Sequence, residues 1–191
     1  FAIALLEVVI AITMGVILVY KEVDRKTFFV VLTKPIRRVE VLAGKLFGLL
    51  GILALSLVVM GLAWIASLWA REVPVPPDVL QALSLTWMQA ALITSVALFF
   101  SSFASPILSG VFTFGAFLVG SMVPILEELL TLQKGPLATN PAARLIAETT
   151  VFLTPDLTVF NVGKELILGI PVTWGYVGAA DGYCLTWSAL F

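Results

Sequence analysis

The stretch Tyr20–Lys45, YKEVDRKTFFVVLTKPIRRVEVLAGK, decides how the rest of the chain is read. It is a polar island between two long apolar runs. Seven of the eleven basic residues lie in it: Lys21, Arg25, Lys26, Lys34, Arg37, Arg38 and Lys45. Lys and Arg beside membrane spans are retained on the cytoplasmic side during insertion, so a loop this basic marks that side. The mixed charges of Lys21–Lys26 lead into apolar Phe28–Leu32, and Thr33-Lys34-Pro35 ends that run, because proline disfavours helix at the residue before it. A short amphipathic helix along the inner surface is predicted here, followed by a second short segment, Ile36–Val41, that feeds the next span.

The chain has 191 residues, of which 60% are hydrophobic and 12% charged. Soluble domains carry about 45–50% apolar and roughly 25% charged residues. Both departures, with apolar residues in continuous runs, indicate an integral membrane protein built of helices rather than alternating barrel strands. The net charge of −1 suggests neither nucleic acid nor an anionic partner. Cys184 is the only cysteine and histidine is absent, so no intrachain disulfide can form and the usual zinc, haem and copper ligand sets are missing.

Working outward, spans are expected at about 1–19, 42–69, 83–100, 107–126 and 174–191, each near the ~20 residues that cross a bilayer. The 20–41 loop lies inside, and 127–173, rich in Pro, Asn and charge, is expected outside as short helices, Leu145–Leu153 and Leu157–Ile170, able to dip back in. Trp69 and Trp87 flank the Pro-rich loop Arg71–Asp78 as an outer aromatic belt would. Arg71–Asp78 and Glu127–Thr173 together carry four bases and seven acids, which agrees with that orientation. The chain starts and stops inside apolar runs, so it reads as a fragment lacking at least one upstream helix.

Two carboxyls fall inside spans. Glu7 lies about 20 Å along the helix from Tyr20, either bonded to a neighbouring helix or lining a substrate path. Asp181 is read the same two ways, as interhelical glue or as a functional carboxyl. Gly44-x-x-x-Gly48 permits close approach of another helix. Gly44-Lys45 is not a phosphate loop, since that motif needs Gly where Val39 stands and Ser or Thr where Leu46 stands. Without histidine, most Ser or Cys triads have no base, and Glu127-Glu128 are adjacent residues that do not face each other on a helix.

What remains is the loop. The pattern Glu22-x-x-Arg25-Lys26-Thr27…Leu32-x-x-Pro35-x-x-Arg38…Gly44-Lys45 resembles the first cytoplasmic loop of ABC type-2 transporter permeases, most of all the branch of multi-copper enzyme maturation permeases. The Pro-containing outer loop and the Pro155-Asp156-Leu157…Phe160-Asn161-Val162 segment extend the resemblance over essentially the whole chain. It implies an all-α, six-helix exporter-like bundle of which five spans are visible, placed as a multi-pass protein in the bacterial inner membrane. It implies a second permease copy, homo- or heterodimeric, and two cytoplasmic ATPase subunits that carry ATP and Mg, with no cofactor and no catalysis in this chain. By position, Glu22, Arg25, Thr27, Leu32, Pro35 and Arg38 would contact the ATPase, and the loop helix would convert closure of the nucleotide sites into rocking of the spans. The cargo expected is hydrophobic or lipid-like, and exported. Without the resemblance the basic residues read as topogenic charges alone. The alternative function is a non-transporting membrane anchor or assembly subunit on which a cytoplasmic complex docks.

Overall fold

The computed structural model describes residues 2–24, 38–131, 141–168 and 170–190. Among them are seven α-helices, one 3-10 turn and no strand. The helices are α1 (Ala2–Asp24), α2 (Arg38–Trp69), α3 (Val79–Ser101), α4 (Pro106–Thr131), α5 (Pro141–Leu153), α6 (Gly163–Leu168) and α7 (Trp174–Leu190), with the 3-10 turn at Thr158–Phe160. Gly44–Trp69, α3 and α4 are each long and apolar enough to cross a membrane, and Ala2–Ile17 is a shorter apolar helix. The molecule is a multi-pass α-helical membrane protein.

Local chemistry sets the ends of these helices. The chain leaves α2 through a Schellman closure, in which Val73 N–H bonds Leu68 C=O and Glu72 N–H bonds Trp69 C=O. Glu72 occupies the left-handed position there, at φ 56°, and three prolines follow within five residues. Both α4 and α5 begin on a proline, whose missing N–H would have gone unbonded in the first turn anyway. Pro124 sits inside α4 without ending it.

Several boundaries differ from the sequence expectation. Arg38–Val41 belong to α2 itself rather than to a separate short segment. Helix α3 starts at Val79, four residues before Leu83, and α4 continues through Glu127-Glu128 to Thr131. Glu is a good helix former, so a hydrated last turn need not unwind. Leu157–Ile170 is not one helix. Asp156 Oδ1 accepts from Thr158 N–H at 2.8 Å and from Thr158 Oγ1 at 2.7 Å, while Asn161 Oδ1 accepts from Gly163 N–H at 3.3 Å. These side-chain turns compete with helix formation, and split the segment into the 3-10 turn and α6.

Two compact units are present, Phe1–Thr113 with Phe160–Phe191, and Phe114–Val159. In the first, α3 is the central helix: α1, α2 and α7 all pack on it, and twelve of its residues are buried. Contacts fix the directions. Trp87 Nε1 donates to Leu50 C=O at 3.2 Å and Gly61 lies against Leu83, so α2 and α3 are antiparallel. Val172 N–H bonds Asp78 Oδ2 at 3.4 Å and Cys184 Sγ bonds Met88 C=O at 3.4 Å, so α3 and α7 run the same way. Asp78 stands at the N-terminus of α3 without capping it; its carboxylate instead ties in the segment before α7.

The second unit comprises the later part of α4, α5 and the turn that follows. Leu157 N–H bonds Gly120 C=O at 3.2 Å. A Cβ at Gly120 would stand 2.8 Å from Pro155 O and 2.9 Å from Leu157 Cδ1. Only glycine lets the returning backbone lie that close.

Candidate functional site: a buried carboxyl among the helices

On α1 the buried positions Glu7, Ala11 and Gly15 recur every four residues and form one row. A Cβ at Gly15 would come within 2.8 Å of Ala97 Cβ and 3.9 Å of Thr94 O. Ala11, Ala90, Thr94 and Ala97 are all completely buried. Small residues on both sides therefore let the backbones of α1 and α3 meet, as they do between membrane helices generally.

Glu7 is eight residues before Gly15, about 80° further round the helix at 100° per residue. That rotation turns its side chain off α3 and onto α2. Ser56 Oγ donates to Glu7 Oε1 at 2.8 Å, and the same hydroxyl is 2.9 Å from Leu53 C=O, so its single proton is shared. Glu7 is 0% exposed, and its Oε2 is buried with no hydrogen-bond partner among the described residues. No Lys or Arg stands between Leu46 and Trp69 or within α3. An uncompensated carboxyl in such a place is expensive, and inside membranes such groups are retained for a reason.

The Glu7–Ser56 contact also settles how α1 and α2 run. Asp24 is about 25 Å along α1 from Glu7, and Arg38 about 27 Å along α2 from Ser56. In a parallel pair those ends would be about 52 Å apart, which the thirteen residues between them could bridge only at or beyond full extension. The helices are therefore antiparallel, and Asp24 and Arg38 lie at the same end. Glu7 and Ser56 thus join the two helices on either side of 25–37, and the first of these helices approaches α3 closely at Gly15.

The sequence-predicted residues divide as follows. Glu22 falls in the last turn of α1, and Arg38 opens α2; Arg25, Thr27, Leu32 and Pro35 lie outside the described residues. Glu7 accepts from Ser56 of the neighbouring helix α2. Asp181 is on the exposed side of α7, while Ala180 and Cys184 of the same helix are buried; the fold does not bring it to Glu7. Among the described residues, no atom beyond the helix's own nearby backbone lies within 4 Å of where a Cβ would stand at Gly44 or Gly48, and the close approaches found there are at Gly15, Gly61 and Gly120. Ser56 and Gly15 carried no weight in the sequence reading. The signal for Gly15 was Ala11-x-x-x-Gly15, a small-residue pair in register with Glu7; Ser56, one hydroxyl in an apolar helix, offered none.

The family model described as "ABC-2 family transporter protein" matches residues 2–170. No curated protein matches the chain, and no solved structure does. With nearly nine-tenths of its length matched, the chain belongs to the ABC-2 transporter family, whose members are membrane permease components of ABC transporters and not themselves catalytic.

Proposed function

We propose that this ABC-2 permease subunit is driven by a separate cytoplasmic ATPase that grips the 20–41 loop, and that Glu22, Arg25, Thr27, Leu32, Pro35 and Arg38 form the grip. The observation that carries the reading is the one just derived: α1 and α2 end side by side where the loop begins, and the pair is cross-linked by Ser56–Glu7. A push on that loop is delivered to a tied pair of helices rather than to one loose helix, which is what rigid-body rocking requires. Seven bases in Tyr20–Lys45 put the loop on the cytoplasmic side, where ATP is available.

The full assembly in this reading has six spans per subunit and two permease copies, with ATP and Mg held on the ATPase subunits and none here. The cargo in this reading is hydrophobic or lipid-like, in keeping with helices that present mostly apolar and small side chains, and it is exported. The membrane is the bacterial inner membrane. Single cysteines at Arg25, Thr27 and Arg38, in the full-length protein co-expressed with its ATPase, test the contact. Cross-linking of all three to the ATPase is expected; cross-linking of none, in an assembly that still hydrolyses ATP and transports, would overturn it.

A further inference from the structure

The buried side-chain oxygens that lack a hydrogen bond among the described residues all lie in one half of the first unit. They are Glu7 Oε2, Gln81 Oε1, Gln89 Oε1 and Glu165 Oε2. Their depth follows from the helix contacts. Both α1 and α3 are antiparallel to α2, so they run the same way. Gly15 lies against Ala97, and eight residues back along each helix puts Glu7 level with Gln89, in the middle of α3. Gln81 is two residues inside the outer end of α3, the end away from the basic loop.

Glu165 lies between Phe160, whose ring centroid is 6.2 Å from that of Tyr183, and Val172, whose N–H bonds Asp78. Tyr183 adjoins Cys184, which bonds Met88. The segment carrying Glu165 therefore runs from the depth of Met88 to that of Asp78. None of the four oxygens is nearer the basic loop than Gln89.

The inner half is built differently. Thr94 Oγ1 bonds Ala90 C=O at 2.7 Å, Ser95 Oγ bonds Ala91 C=O at 3.1 Å and Ser109 Oγ is 3.0 Å from Ser101 Oγ. A hydroxyl can donate to a carbonyl of its own helix. An amide or carboxyl oxygen cannot be met that way, because the N–H groups of a helix interior are already used, and its donor has to come from elsewhere. Cover differs too. Every residue from Leu92 to Ala97 is buried, whereas between Val79 and Met88 only Val79, Gln81, Leu85 and Met88 are.

We infer that the row Gln81, Leu85 and Gln89 lines an aqueous inlet, open at the outer end of α3 and closed from Leu92 inward. The three recur at four-residue steps and share one face. Water supplies the donors that the two amide oxygens and Glu165 call for, which hydrocarbon cannot do. Gln81 and Gln89 are only 9% and 6% exposed, so a second helix or a lipid-like molecule cannot reach them, while a molecule as small as water can. The inlet belongs to this unit alone and stands whether or not an ATPase grips the 20–41 loop.

Single cysteines in the full-length protein, with Cys184→Ala, test this with a membrane-impermeant methanethiosulfonate added from outside. Q81C and Q89C should react several-fold or more faster than T94C, which lies in the closed half of the same helix. E72C, in the exposed outer turn, marks the rate of open access. A second measurement needs no substitution in α3: radiolysis of water around the unsubstituted protein should oxidise Leu85 and Met88 and leave Leu92 and Ile93 intact, although all four are buried. Q89C as unreactive as T94C, or Leu85 and Met88 as unmodified as Leu92 and Ile93, would overturn the inference.

Discussion

Ser56 on α2 donates a hydrogen bond of 2.8 Å to Glu7 on α1, and the other oxygen of that carboxyl is buried without a partner among the described residues. The pair joins the two helices that flank the basic loop. It is also unsatisfied by half, which makes its energetics asymmetric. Removing one partner should cost more than removing both.

Ser56→Ala should therefore lower stability by about 1–3 kcal/mol, because the carboxyl loses its only described bond. The double variant Glu7→Leu/Ser56→Ala should recover most of that loss. Thermal unfolding of the purified protein in detergent, arranged as a double-mutant cycle, measures the coupling. Additive single effects would show that the two groups do not act on each other.

Gly15→Val should destabilise by roughly 1–3 kcal/mol, since a Cβ there already stands 2.8 Å from Ala97 Cβ. A Cβ at Gly48 meets no neighbour among the described residues within 4 Å, so Gly48→Val should change the stability of the isolated subunit by no more than about 0.5 kcal/mol. Equal effects at the two glycines would contradict the packing of α1 on α3.

Gly120→Ala should push Pro155 and Leu157 off α4. The obstacle at 2.8 Å is backbone oxygen rather than a side chain that could swing away. Amide exchange at Leu157, whose N–H bonds Gly120 C=O, should speed up while exchange in α3 stays as it was. Unaltered exchange at Leu157 would mean that the contact does not hold the turn.

Glu72→Gly should stabilise the end of α2 by roughly 1 kcal/mol. Glu72 sits at φ 56° in the position of the Schellman closure where glycine has no Cβ penalty. A rise in the unfolding temperature is expected; a fall would show that the Glu72 side chain makes a contact worth more than the backbone strain.

The long spans were legible because continuous apolar runs bounded by charge, Pro and Trp report membrane crossing without any knowledge of packing. What the runs could not report is which row of each helix faces inward. Gly44-x-x-x-Gly48 and Ala11-x-x-x-Gly15 are the same kind of motif, yet among the described residues a neighbour fills only the second. Glu7 was visible as a costly group, but its partner Ser56 was one hydroxyl in a helix with no polar pattern. The stretch Leu157–Ile170 looked like a helix by composition, and the local bonds of Asp156 and Asn161 divided it. Asp78 read as a loop residue, whereas its carboxylate reaches ninety-four residues along the chain to Val172. Of the loop contact, only the backbone at Glu22 and Arg38 falls within the described residues.

The central claim is that force from ATP hydrolysis enters through Tyr20–Lys45, and the charge-reversed variant Arg25→Glu/Arg38→Glu tests it most directly. With the full-length permease and its ATPase reconstituted in vesicles, transport per ATP hydrolysed should fall on the order of ten-fold or more, while membrane insertion is unaffected. An unchanged ratio of transport to hydrolysis in that variant would contradict the account.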